Sequence, residues 1–216
     1  MSGDIEILAV LTGKARPFRG EAASAIAKQP AAGALRVGLM GLAGDEQADL
    51  VNHGGPDKAL HHYPYDHYPH WRAALGPVAD LAGPGGFGEN ISTLGLAEDD
   101  VWLGDRFRLG TALVEVSHGR QPCWKLGHRL GDASLAAQVT RSGRAGWYYR
   151  VVEEGAVAAG DRLVREGRGL AEWPLSRLFH VLIGGGHKAD RGALDALASL
   201  PVLAAAWRQR AAELRG

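Results

Sequence analysis

Cys123, the only cysteine of the chain, lies just after an alternating, strand-like run. Gly119 and Pro122 interrupt strands, so Cys123 is predicted on a loop, where a rigid scaffold often displays reactive groups. Arg120 and Lys125 flank it, and positive neighbours lower a cysteine pKa and favour the thiolate. The thiolate is the form that attacks electrophiles and binds soft metals. The alternative is an inert thiol that packs as a small apolar group.

Two other loops, residues 41–47 and 53–58, combine glycines with polar side chains, and the second contains Gly54 and Gly55. Adjacent glycines let backbone amides approach an anion, because no Cβ stands in the way and φ can be positive. These loops are therefore candidates for anion binding. Two ordinary tight turns would explain the same composition.

Short apolar runs punctuated by glycine, such as residues 5–11, 35–40 and 147–152, predict β-strands. A pattern V-x-x-G-D-R plus an apolar residue occurs at 101–107 and again at 157–163. In each copy a Gly-Asp turn precedes a predicted strand, as in the short connections of a β-barrel.

The tail of the chain has helical spacing instead. Pro174 suits a first helical turn, Asp190 can cap a second helix, and Pro201 is predicted to open a third. We therefore predict a mostly β fold with some α structure (α+β). A barrel domain over residues 1–168 precedes a three-helix domain over residues 169–216.

The composition limits the classes of partner. The chain has 24 basic and 24 acidic residues, so its total charge predicts no attraction to nucleic acid or to an anionic membrane. One cysteine excludes an internal disulfide. The N-terminus lacks a basic start and a long apolar run, and no stretch has the length of a membrane span. These features predict a cytoplasmic protein.

Five motifs, in order and with matching spacing, resemble the MOSC domain, named for the C-terminal part of molybdenum cofactor sulfurases. The chain is most similar to the stand-alone bacterial YiiM-like branch, whose members carry a three-helix domain after the barrel. The motifs are Gly44-Asp45, His53-Gly54-Gly55-Pro56-Asp57-Lys58-Ala59, Phe87-Gly88-Glu89-Asn90, Val101-x-x-Gly104-Asp105 and Arg120-x-Pro122-Cys123.

The resemblance implies a MOSC-type β-barrel that binds molybdenum cofactor (molybdopterin), with Cys123 as the metal ligand and sulfur centre. Soft thiolate sulfur suits molybdenum, and the pterin phosphate makes the cofactor anionic. Lys28 and Lys58 have an alternative interpretation as solvated surface charges. The candidate cofactor contacts are Arg120, His53, Gly54, Gly55, Lys58, Lys28 and Asn90.

The expected activity is an oxidoreductase that reduces N-hydroxylated compounds such as 6-N-hydroxylaminopurine, because the branch is linked to their detoxification. The substrate is then a small molecule, and an electron-donating reductase is needed; a homodimer is left open. His118 is the candidate catalytic proton relay, with His53 or Asp57 as other choices. Two alternatives stay open: a sulfurtransferase that carries a persulfide on Cys123, and a non-catalytic cofactor carrier.

Overall fold

The structure is a computed structural model that describes residues 4–48 and 54–216. Its strands in these ranges are β1 (Ile5–Thr12), β2 (Arg16–Arg19), β3 (Ala22–Ser24), β4 (Gln29–Pro30), β5 (Leu35–Gly38), β6 (Gly41–Leu42), β7 (Leu60–Pro64), β8 (Ile91–Thr93), β9 (Arg106–Leu109), β10 (Ala112–Gly119), β11 (Trp147–Glu153), β12 (Gly155–Val157) and β13 (Arg162–Gly167). Its α-helices there are α1 (Tyr68–Leu75), α2 (Trp124–Leu130), α3 (Leu135–Ser142), α4 (Leu175–Leu182), α5 (Gly192–Ser199) and α6 (Ala205–Arg215).

Seven strands form a closed barrel in the order β13-β9-β10-β11-β7-β8-β1, and β1 returns to β13 where Ile5 faces Leu163. The strand β4 extends the sheet from β1. The pair β7–β8 is parallel and the other barrel pairs are antiparallel, so the barrel is mixed. The predicted α+β fold, a barrel followed by three helices, is confirmed.

The repeated Gly-Asp pattern forms two equivalent turns. Gly104 and Gly160 have positive φ angles of 83° and 89°, which glycine adopts without strain. Each following aspartate accepts a hydrogen bond from the amide three residues earlier, at 3.0 Å for Asp105 and 2.8 Å for Asp161. The strands that follow, β9 and β13, are antiparallel neighbours. Each Gly-Asp turn therefore precedes a barrel strand, as predicted, and the structure shows in addition that the two strands are neighbours.

The tail contains the three predicted helices α4, α5 and α6. Asp190 accepts a hydrogen bond from the Ala193 amide at 3.1 Å, so it caps α5 as predicted. The prediction for Pro201 is wrong, because α6 begins at Ala205. Pro201 instead lies in a turn closed by a 3.1 Å bond from the Leu203 amide to the Leu200 carbonyl. Within the described ranges, no helix has both the length and the apolar character to cross a membrane.

The tail packs directly onto the barrel and shares its hydrophobic core. The Leu175 amide donates to the Val101 carbonyl at 2.8 Å, and the Ala204 amide donates to the Ser117 carbonyl at 3.1 Å. Arg150 of β11 also donates to the Val202 carbonyl at 2.8 Å. The division near residue 168 stays a prediction, and these contacts fix how the tail lies against the site.

His62 is a fully buried histidine inside the barrel. Its Nδ1 lies 3.0 Å from the Tyr149 hydroxyl and its Nε2 lies 2.9 Å from the Thr93 hydroxyl. Burial lowers the pKa of His62 to about 3. Both ring nitrogens are therefore held by neutral partners, and the ring stays uncharged in the folded protein.

We expect the stability of the protein to fall as the pH drops below about 6.5, partly through His62. The unfolded chain takes up this proton near pH 6.5 and the folded chain does not, so stability is full above that pH and is lost on acidification. By pH 5 the loss from His62 alone is about 2 kcal/mol. Denaturant unfolding of wild type and His62→Gln at pH 7 and 5 measures it. Equal losses in both proteins would contradict the assignment.

Candidate functional site

A narrow cleft of about 90 Å³ opens beside Cys123, and we call it the inner cleft. Loops and strand ends from across the barrel form its walls. Among the described residues, four basic side chains and two carboxylates line it, so its charge is positive on balance even though the whole chain is neutral. These residues are Lys28, Lys58, Arg120 and Lys125, with Asp45 and Glu46.

Cys123 lies on irregular backbone between β10 and α2, as predicted. Its backbone is extended, with φ −128° and ψ 169°, and its carbonyl accepts the Leu126 amide at 3.1 Å as α2 begins. The residue is half-buried rather than enclosed in the core. A side chain in this position can meet a ligand in the inner cleft, which an inert core thiol cannot do.

Arg120 has a buried polar atom in the inner cleft that lacks a hydrogen-bond partner among the described residues. The residue is 5% exposed, and its backbone amide donates at 2.9 Å to the carbonyl of Gly146, the residue just before β11, which fixes the loop there. Its Nη1 is buried and has no hydrogen-bond partner among the described residues. A buried, unpaired charged donor is costly, so its retention points to an anionic ligand.

Lys28 and Asn90 meet at Asp45. Lys28 Nζ lies 2.5 Å from both Asp45 oxygens, and Asn90 Nδ2 donates to Asp45 Oδ2 at 2.8 Å. The Asn90 Oδ1 atom accepts the His61 amide at 3.0 Å. Lys28 is 8% exposed, so its interpretation as a solvated charge is wrong. Burial lowers the pKa of the Lys28 ammonium, and Asp45 opposes that shift.

We expect Lys28→Met to destabilise the fold by about 3–5 kcal/mol, because it leaves the Asp45 carboxylate buried without its cation. The matched control is Lys14→Met. Lys14 pairs with Glu46 at 2.9 Å, but the two side chains are 58% and 45% exposed. Losing that exposed pair should cost much less than losing the buried pair. Denaturant unfolding measures both, and similar losses would show that Lys28–Asp45 behaves as a surface pair.

The other predicted cofactor contacts are distributed differently. Lys58 is half-buried and lines the inner cleft. Gly55 has the expected positive φ, 99°, but Gly54 and Gly55 are not among the residues that line the cleft. His53 lies outside the described residues. Asp57, a candidate relay, pairs with Arg150 at 2.7 Å.

His118 lies on β10 and faces a second cleft between the barrel and α6, which we call the outer cleft. This cleft measures about 540 Å³. Cys123, Lys58, Lys125 and Tyr148 line both clefts, so the thiol lies where the two meet. The remaining lining residues of the outer cleft are Gln121, Pro122, Trp124, Ala206, Trp207, Gln209, Arg210 and Glu213.

Tyr148 and His61 are site residues that were not among the predicted cofactor contacts. They face each other across β11 and β7, with ring centroids 5.1 Å apart, and both line the inner cleft. Burial, and then the Arg120 charge, lower the pKa of His61 well below its usual range. Burial raises the pKa of Tyr148, Arg120 opposes that rise, and Cys123 adds to it. The register of β11 and β7, which the sequence does not show, brings these rings close to Arg120.

A family model described as the MOSC domain matches residues 49–164. Protein YiiM of Escherichia coli (strain K12) is 44% identical over 150 residues, which cover 69% of this chain and 67% of that protein. A protein named Reductase from Gibberella moniliformis is 38% identical over 164 residues, covering 76% of this chain but 29% of that protein. The crystal structure of YiiM from Geobacillus stearothermophilus matches with a TM-score of 0.82 and 33% identity, covering 98% of this chain and 100% of that chain. The chain therefore belongs to the MOSC domain family and is YiiM-like.

Proposed function

We propose that this protein binds molybdenum cofactor through Cys123 and reduces N-hydroxylated compounds such as 6-N-hydroxylaminopurine. The observation that carries the proposal is that Nη1 of Arg120, in the same positively charged cleft as the only cysteine, has no hydrogen-bond partner among the described residues. A soft sulfur ligand and a buried cation are the two groups that an anionic, sulfur-binding metal cofactor requires. The MOSC family is associated with this cofactor, which agrees with the residues present.

The side chains near Cys123 fit a metal whose other ligands come from its cofactor. In residues 4–48 and 54–216, no three His, Cys, Asp or Glu side chains are grouped so that they could hold a metal ion. A metal at Cys123 would therefore take its other ligands from the pterin dithiolene. When bound, the cofactor supplies a metal that accepts an oxygen atom and exchanges two electrons.

The reaction converts R–NHOH, two electrons and two protons into R–NH2 and water. The N–O bond breaks, the substrate nitrogen is reduced, and the oxygen leaves as water. In this proposal Arg120 and Lys58 hold the anionic end of the cofactor. An electron-donating reductase supplies the electrons. The relative named Reductase supports reductive chemistry, and most of its length lies outside the part that this chain matches.

Metal, pterin and persulfide analysis of the protein, purified from cells that make molybdenum cofactor, tests the proposal. We expect equimolar molybdenum and pterin. A persulfide on Cys123 without metal would overturn the proposal in favour of a sulfurtransferase. Equimolar cofactor without any reduction of a hydroxylamine by a supplied electron source would instead indicate a cofactor carrier.

A further inference from the structure

The hydrogen bonds of Ser117 fix the tautomer of His118. Ser117 Oγ lies 2.6 Å from the Asp57 carbonyl oxygen, 3.1 Å from the Tyr148 carbonyl oxygen and 2.9 Å from His118 Nδ1. Carbonyl oxygens only accept hydrogen bonds, and a serine hydroxyl has one proton to donate. That proton goes to a carbonyl, so Ser117 accepts the bond from His118. The proton of the His118 ring is therefore on Nδ1.

His118 is neutral as well as oriented. It is 1% exposed, and burial lowers its pKa well below the usual range, with Lys58 and then Arg150 acting in the same direction. A neutral imidazole with its proton on Nδ1 has a lone pair on Nε2. The polar feature that His118 can present to the outer cleft is thus a hydrogen-bond acceptor. The predicted role of His118 as a proton relay stays a prediction.

Aromatic rings give the outer cleft its shape. The His118 ring stacks on Tyr148 at 5.1 Å and 20°, and Trp207 of α6 lies 5.3 Å from it at 60°. The volume of about 540 Å³ falls in the range of small-molecule sites. Its described lining residues include three basic side chains and one acidic side chain: Lys58, Lys125, Arg210 and Glu213. This chemistry suits a planar ring that is neutral or anionic.

We propose that the outer cleft is the substrate site, and that Nε2 of His118 accepts a hydrogen bond from an N–H or O–H group on a planar heteroaromatic substrate. This inference rests on the proposed function, because Cys123 lines the same cleft and would face such a ligand. It assigns the tail a direct part in specificity, since Trp207, Gln209 and Arg210 of α6 also line the cleft.

The acceptor at Nε2 of His118 makes the outer cleft selective for ligands that carry a hydrogen-bond donor. A hydroxylamino group offers N–H and O–H donors, whereas an aromatic N-oxide or a dimethylamino group offers none. A buried acceptor left without a donor is unfavourable, so the site should discriminate against donor-free analogues by about 10- to 100-fold.

The test is equilibrium binding to the purified holoprotein, followed by quenching of Trp207 and Trp124 fluorescence. The probes are 9-methyladenine, which has an exocyclic N–H donor, and 6-dimethylamino-9-methylpurine, which has none. We expect wild type to bind the first about 10- to 100-fold more tightly. His118→Phe keeps a flat ring but has no acceptor, so the ratio should fall to near one. His128→Gln, an exposed histidine that lines neither cleft, should keep the wild-type ratio.

Equal affinity of wild type for the two probes would overturn the proposal, and so would a wild-type ratio in a folded His118→Phe protein. If His118→Phe does not fold, the wild-type ratio alone decides. In turnover, the loss in His118→Phe should be in KM for the hydroxylamine, whereas Cys123→Ser should lose kcat. A discriminating cleft without amine formation would contradict the proposed function and leave this inference standing.

Discussion

Replacing Cys123 with serine is expected to abolish reduction of hydroxylamine substrates. Serine is nearly isosteric, but its oxygen is harder and far less acidic, so it is a poor replacement for thiolate at molybdenum. Loss of a group that hydrogen-bonds to a metal ligand typically lowers metal affinity or activity by about 10- to 100-fold. Loss of the ligand itself should therefore lower activity by more than about 100-fold. Amine formation with a supplied electron source is the measurement, with metal content determined on the same sample.

The fold should survive both Cys123→Ser and Cys123→Ala, because the half-buried side chain precedes α2 and contributes little core volume. Thermal melting provides the control. Wild-type turnover in Cys123→Ser with molybdenum still bound would rule out the thiolate ligand. A large fall in melting temperature in both variants would instead identify Cys123 as a core residue.

Arg120→Ala is expected to lose the cofactor while keeping its fold. A hydrogen bond to a charged group contributes about 1.5–3 kcal/mol, so cofactor retention should weaken by about 10- to 100-fold. Folding should weaken less than cofactor retention: Nη1 of Arg120 has no partner among the described residues to lose, and the guanidinium gives up its bond to Tyr148. Cofactor content after dialysis and the melting temperature of the apoprotein measure the two effects.

The matched control for Arg120→Ala is Arg162→Ala. Arg162 is exposed on β13 and is not among the residues that line either cleft, so the variant removes the same charge from a different part of the barrel. It should retain the cofactor. If the two variants retain equal amounts, Arg120 does not hold the anion, and another buried group must do so.

The parts of the fold that the sequence predicted are those set by local backbone rules. The Gly-Asp turns at Gly104 and Gly160 need a positive φ and a nearby acceptor, and both requirements can be recognised in a short pattern. Asp190 was recognisable as a cap for the same reason. The prediction for Pro201 failed because proline suits both a first helical turn and an ordinary turn. Here it lies in an ordinary turn, closed by the hydrogen bond from the Leu203 amide to the Leu200 carbonyl.

The parts of the candidate site that the sequence missed depend on long-range pairing. Lys28 was a candidate anion contact, but the fold brings Asp45 to it and neutralises its charge. Tyr148 and His61 become neighbours only through the register of β11 and β7. Arg120 was a candidate by its place beside Cys123, yet only the structure shows that its Nη1 has no partner in the described chain. Whether a buried polar atom finds a hydrogen-bond partner depends on residues that are distant in sequence and meet only in the folded barrel. A local sequence pattern does not reveal it.

X-ray absorption at the molybdenum edge shows directly whether Cys123 is a ligand of the metal. We expect the metal in the wild-type protein to have the sulfur ligands of the pterin dithiolene and one more from Cys123. In Cys123→Ser that additional sulfur should be absent while the pterin sulfurs remain. The same number of sulfur ligands in both proteins would contradict the assignment of Cys123 as the molybdenum ligand.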